Sequence, residues 1–186
     1  MTSPPSFTYD ACLEEFNVPY KQWLATKDKT WNGIASGAII FQEDRVLLVQ
    51  RAPDDSMPNL WEIPGGAVDP EDASILAGCV REVFEETGLR VKHIRRLVTE
   101  GADGPEWTVF TNRTGKRFFV KFTFEVDVEE GADVVLDPVE HQSWVFATKD
   151  EVEKQAVGEL RIPLATPYVR RLVVEGFRLR DEAGSA

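Results

Sequence analysis

The sequence predicts a mixed α/β domain, because segments with strand periodicity flank one long segment with helical periodicity. Two apolar runs, residues 34–42 and 45–51, surround Glu43-Asp44 and read as a β-hairpin. Phe118, Val120, Phe122, Phe124 and Val126 alternate without a break, as in a strand with one face in the core. Between these, Leu76, Cys79, Val80, Val83 and Thr87 recur at helical spacing and form one buried stripe.

The other elements follow in order. Leu13, Phe16, Tyr20 and Trp23/Leu24 are spaced helically, but Pro19 divides the stretch into two short pieces. A turn-rich loop, APDDSMPNL, precedes Trp61-Glu62-Ile63, which leads into Pro64-Gly65-Gly66. Asp72 or Ser74 caps the central helix, Ile75 and Phe84 widen its apolar side, and Gly88 before Leu89 stops it. Strands are expected over 91–100, 107–112 and 143–146, with a turn at Arg113-Thr114-Gly115-Lys116 before the alternating strand. Asp150 caps a helix over 151–157. Thr166-Pro167 opens a last helix toward Phe177, and the tail RDEAGSA is frayed.

Composition narrows the functional classes. The 186 residues suffice for one full core and are few for two. A net charge of -11 repels a long polyanion, so nucleic acid is not an expected partner, whereas a small anion carried with a cation is compatible. The two cysteines, Cys12 and Cys79, form no disulfide framework or zinc-ligand spacing. The start lacks the basic and apolar regions of a signal peptide, and no run reaches the ~20 apolar residues of a membrane span. The expectation is a soluble, cytoplasmic protein with no membrane partner.

Glu82, Glu85 and Glu86 stand at i, i+3 and i+4 and point from one helix face. Like charges at that spacing repel, and the C-terminal turn of a helix is itself negative. A hard divalent cation such as Mg²⁺ relieves the repulsion through its preference for oxygen ligands. Arg81 is placed to orient these carboxylates by paired hydrogen bonds, and the glycine turn exposes carbonyls that can add to the ligands. The alternative is a solvated acidic helix face.

At these residues the chain resembles the Nudix hydrolases. Their signature is a glycine, five residues, a glutamate, seven residues, then Arg-Glu-apolar-x-Glu-Glu-x-Gly-apolar. Gly66 begins the match, and Arg81-Glu82-Val83-Phe84-Glu85-Glu86-Thr87-Gly88-Leu89 fits the second half throughout. Asp72 replaces the first glutamate and is separated from Arg81 by eight residues, one more than the signature has, which questions it as a functional carboxylate. The runs LLVQR and WEIPGG extend the likeness. The resemblance implies a mixed sheet between helices, an α/β/α sandwich. It covers residues 33–157, leaving an extension over 1–32 and a C-terminal helix and tail over 158–186. The extension packs on the core or, alternatively, on a partner subunit in a homodimer.

The resemblance further implies a Mg²⁺- or Mn²⁺-dependent hydrolase that cuts the diphosphate of a nucleotide linked to another group. Glu82, Glu85 and Glu86 are the implied ligands, with the Gly66 carbonyl as a weaker one. Arg81 holds Glu82 or a neighbour, so Arg81→Ala is expected to slow turnover with the fold near intact. Glu140, next to His141, is the candidate assisting carboxylate outside the box. Arg51 is the candidate phosphate contact. Glu62 either faces the site or forms an edge salt bridge, and Trp107 and Phe110 stack on a base or lie in the core. Lys116 and Arg117 contact substrate or solubilise a turn, with the second favoured. His93 and His141 are near no nucleophile motif. Pro105, sixteen residues past Leu89, weakly favours ADP-ribose-like substrates over nucleoside triphosphates. The rivals are a silent nucleotide sensor and an isopentenyl-diphosphate-isomerase-like enzyme, for which neither Cys12 nor Cys79 is well placed.

Overall fold

The computed structural model describes residues 6–112 and 114–184. Arg113, in the expected hairpin turn, and the last two residues of the expected tail lie outside them. The elements are β1 (Thr8–Tyr9), a 3₁₀ helix (Ala11–Phe16), α1 (Tyr20–Ala25), β2 (Gly33–Gln42), β3 (Arg45–Arg51) and β4 (Trp61–Glu62). There follow α2 (Ile75–Thr87), β5 (Val91–Val98), β6 (Thr108–Thr111), β7 (Phe118–Val128) and β8 (His141–Ala147). The chain ends through α3 (Lys149–Lys154), β9 (Ala156–Val157), β10 (Leu160–Arg161) and α4 (Pro167–Gly184).

The main sheet is mixed, in the order β1-β5-β7-β2-β3-β4, with β6 on β7 and β8 on β3. Its centre is the parallel pair β2–β7, in register from Gly33↔Phe119 to Ile40↔Val126. The hairpin partners β2 and β3 pair only at their turn, through Phe41↔Val46 and Gln42↔Arg45. Beyond it β3 diverges, and residues 64–68 take its place along β2. Ser36 N–H donates to the Gly66 carbonyl (2.8 Å), Ala38 N–H to Pro64 (2.9 Å) and Val68 N–H to Ile34 (2.9 Å). The glycine turn is thereby fixed to the centre of the sheet. Gly65 has φ 143°, and a Cβ there would lie 2.3 Å from the Ser36 carbonyl oxygen, so only glycine fits.

Helices cover both faces of the sheet, forming the α/β/α sandwich. One face packs against α2 through Ile34, Ala38, Ile75, Leu76, Cys79, Val80 and Val83. Leu13, Phe16 and Trp23 from the first thirty residues enter the same core, where the Phe16 and Trp23 rings meet Phe122 and Phe124 in tilted and edge-on contacts. The opposite face packs Ile39, Val98 and Trp61 against Val152, Val169, Leu172 and Val173 of α3 and α4.

Several local expectations change. Strand β7 is buried on both faces: Lys121, Thr123 and Glu125 are as covered as the alternating apolar residues, because helices lie on each side, while Phe118 at its start is exposed. Phe84 is also exposed, with the Arg90 guanidinium over its ring. Helix α3 starts two residues early, since Thr148 forms a reciprocal capping box with Glu151, and stops at Lys154 where Gln155 turns left-handed. Helix α4 runs through the expected frayed tail to Gly184, held by Arg178 bonds to Glu175 and Glu182.

Candidate active site

Helix α2 presents the acidic cluster because both of its ends are fixed. The Ser74 hydroxyl accepts from Ala77 N–H (3.1 Å), and Gly88 adopts φ 68° with its N–H on the Phe84 carbonyl. Its buried stripe then sets the rotation, placing Glu82 and Glu86 at the edge of the core and Glu85 in solvent.

Arg81 ties the cluster to the loop before the helix. Its Nε and Nη2 donate to the two oxygens of Asp72 (3.0 and 2.9 Å), and Nη2 also donates to the Ala67 carbonyl (2.8 Å). Nη1 donates to Glu82 Oε1 (2.8 Å) and Glu85 Oε2 (2.7 Å). All five guanidinium N–H groups are therefore engaged. Asp72 also accepts from Asp69 N–H (2.8 Å), so it anchors the arginine and the loop and is not turned toward a cation. Because the Asp72 carboxylate is largely covered, removing Arg81 strips it of its partner, so Arg81→Ala is expected to lower stability as well as turnover.

The remaining carboxylates converge on the glycine turn. Gly65 N–H donates to Glu86 Oε2 (2.7 Å), and a Cβ on Gly66 would lie 2.5 Å from Glu82 Oε2. Gly66 is needed for this close approach, and its carbonyl already accepts from Ser36. Glu140, in the loop before β8, brings its carboxylate to the same place: ligand atoms of Glu86, Glu140 and His141 lie within 4.8 Å of one another. Among the described residues this is the group compact enough to share an ion; Glu82 and Glu85 instead share Arg81. His141 is buried, with Nε2 3.7 Å from Glu62 Oε1 and Nδ1 without a partner among the described residues. Sequence reasoning passed over it. Its position directly after Glu140, at the start of a strand, was the signal available.

The charges are unbalanced. Burial raises the Glu82 carboxyl above its ordinary range, Arg81 opposes the shift, and Glu85 and Glu140 add to it. Burial pushes Glu86 up further, against the pull of His141 and Gly65 N–H, with Glu62 and Glu82 reinforcing it. Oxygen donors in excess of nearby cations match a hard divalent ion, and these residues fit one.

A cavity of about 410 Å³ opens beside the glycine turn, lined in part by Arg51, Glu62, Gly65, Gly66, Phe110 and Lys121. Arg51 reaches it, but its guanidinium is bound to Asp55 Oδ1 (2.5 Å) and to Glu62, so it is not a free phosphate contact. Glu62 both faces this site and forms the salt bridge. Burial opposes its ionisation, yet His141, Lys121 and Arg51 together hold its carboxyl below the usual range. Phe110 stacks on Phe119 in the cavity wall, whereas Trp107 packs in the core with Trp23 and Trp31. Lys116 and Arg117 belong to a turn whose N–H groups donate to Asn112. His93 bonds Thr8 and Asp10 on the surface, and Pro105 does not line the cavity. Cys79 is sealed in the core, where burial pushes its thiol up to about 12, which removes it as a reactive group. No helix among the described residues is long and apolar enough to cross a membrane.

Known proteins resemble this chain in sequence and fold. The NUDIX domain model matches residues 31–166. A MutT-like protein of Streptomyces ambofaciens is 28% identical over 141 residues, 73% of this chain and 79% of its own. CTP pyrophosphohydrolase of Escherichia coli is 26% identical over 132 residues, 71% of this chain and 87% of its own. The crystal structure of a MutT protein from Methanosarcina mazei has the same fold, with a TM-score of 0.60 at 22% identity over 84% of this chain and 99% of that one. With its box, its sandwich and a family match over most of its length, the chain belongs to the Nudix hydrolases, enzymes that act on phosphoric anhydride bonds.

Proposed function

We propose that this enzyme requires Mg²⁺ or Mn²⁺ and cleaves the diphosphate of a nucleotide, with nucleoside triphosphates as its first substrate class and ADP-ribose-like compounds as the second. The observation that carries this is the convergence of Glu82, Glu86 and Glu140 on the Gly65-Gly66 turn, beside a cavity large enough for a nucleoside. The order of substrates rests on similarity to a MutT-like protein and a CTP pyrophosphohydrolase along most of the chain, and Pro105, the residue that pointed to ADP-ribose, does not line the cavity.

Glu86, with Glu82 through the Oε2 that Arg81 leaves free, would hold the ion beside Glu140 and His141, with the second lone pair of the Gly66 carbonyl available and Glu85 reached from the solvent side. A divalent ion supplies charge screening and Lewis acidity toward phosphate oxygens. Arg81 keeps Glu82 and Glu85 in fixed orientation, and Glu140, the most exposed of the converging carboxylates, takes the proton of the attacking water.

Anion-exchange analysis of products from CTP, the other nucleoside triphosphates and ADP-ribose tests this reading. Nucleoside monophosphate should accumulate with Mg²⁺ and cease with chelator. An intact panel despite bound nucleotide would return the chain to the sensor class.

A further inference from the structure

The cavity beside the glycine turn holds a cation that the protein itself does not neutralise. Lys121 is only 8% exposed, yet its ammonium makes no hydrogen bond, and no ion pair within 4 Å, to any described residue. Its neighbours in the cavity are already matched: Arg51 with Asp55 and Glu62, and Glu62 additionally with His141. Lys121 does act on Glu62 at longer range, helping to hold its carboxyl low. The Lys121 side chain is covered while its ammonium opens on the cavity, so an anionic ligand seated there can supply the close counter-charge that the protein does not.

The sheet is shaped to admit such a ligand. Lys121 lies on β7 in register with Ala35 of β2, and the adjacent β2 positions on that face are small. A Cβ on Gly37 would meet Lys121 Cε at 2.8 Å, and one on Gly33 would meet the Phe119 ring at 3.0 Å. Helix α4 packs tightly on the same face farther along, where Gly176 meets Ile39, and borders the cavity only through Tyr168 of its first turn. The space left at this end is the cavity. One rim of it is Gly65-Gly66, against which Glu82 and Glu86 rest. Its wall is the Phe110–Phe119 stack, with ring centroids 5.5 Å apart and planes within 19°. A flat apolar wall suits a planar ring.

We infer that Lys121 is a substrate-binding residue that grips a phosphate oxygen of the nucleoside monophosphate half of the substrate, with the base against Phe110 and Phe119. This rests on the hydrolase reading and adds to it the side of the diphosphate that the enzyme retains. An ammonium–phosphate contact in a covered site is a charge-assisted hydrogen bond, so its loss is expected to weaken binding about tenfold or more.

Calorimetric titration of the full chain with Mg²⁺ tests it, using AMP, CMP, GMP and UMP beside the four matching nucleosides. In the wild type at least one monophosphate should bind about tenfold more tightly than its nucleoside. Lys121→Met and Lys121→Gln should abolish that preference while keeping the wild-type circular-dichroism spectrum and a cooperative melt, since the lysine makes no short-range bond in the fold. With a turned-over substrate, KM should rise by the same factor and kcat change less. A wild type without monophosphate preference, or variants that keep it, would overturn the assignment. An inert wild type whose preference still depends on Lys121 would instead overturn hydrolysis and leave the phosphate contact standing.

Discussion

Five N–H groups of one arginine connect the loop, the helix and two of the box glutamates, so Arg81→Ala tests structure and catalysis together. Asp72 would remain covered without a partner, and stability should fall by ~2–4 kcal/mol in denaturant titrations. Glu82 and Glu85 would lose their orientation, and turnover of the preferred substrate should drop about 100-fold or more. A second test concerns Asp55. Burial raises its carboxyl, but the bonds from Arg51, Ser56 and Met57 N–H prevail and lower it to about 2. A depressed carboxylate contributes stability that is complete above the unfolded value near 3.8 and is lost as pH falls toward 2. Asp55→Asn should therefore cost on the order of 1 kcal/mol at neutral pH and flatten the acid-unfolding profile between those values. At this scale the sequence is legible where spacing determines direction: Glu82, Glu85 and Glu86 share a face because of helical geometry alone. It is not legible where direction depends on a distant element. Lys121 looks solvent-facing in an alternating strand, and Arg51 looks free until Asp55 and Glu62 fold beside it.

Elements were readable in proportion to their local signals. Helix α2 carries a cap, a stripe and a glycine stop, and the structure uses all three, with Ser74 chosen over Asp72 because Asp72 is held by Arg81. Gly88→Ala should destabilise by about 1–2 kcal/mol through its left-handed φ, with Val135 Cβ 3.2 Å from the added methyl raising the cost, measurable as a lower urea midpoint. Helix α3 was placed late because Asp150 and Thr148 are both good caps, and only the reciprocal bond with Glu151 distinguishes them. The burial of both faces of β7 was invisible for another reason. One-sided alternation describes a strand with a single cover, and the second cover is α4, some forty residues farther along the chain. The glycine turn belongs to this scale as well, since it acquires its position by replacing β3 along β2, a substitution that pairing rules for a hairpin do not foretell.

Across the molecule, the core is continuous with the N-terminal stretch, and Phe16 is buried between Trp23, Phe122 and Phe124. Phe16→Ala should cost ~3–5 kcal/mol in chemical denaturation, the range for a large aromatic removed from a packed core. The aromatic content of that stretch indicated packing, but nothing in its periodicity identified the partner strand. The overall charge of -11 and the local surplus of carboxylates at the glycine turn act in one direction, toward holding a divalent cation. Manganese makes that claim directly measurable, because the electron paramagnetic resonance signal of aqueous Mn²⁺ is lost on binding. Titration of the purified chain should show tight uptake of Mn²⁺, competed by Mg²⁺ and strongly weakened in Glu86→Gln, with catalytic activity declining in parallel. Wild-type protein that leaves the aqueous signal unchanged, or Glu86→Gln that takes up Mn²⁺ as the wild type does, would contradict the account.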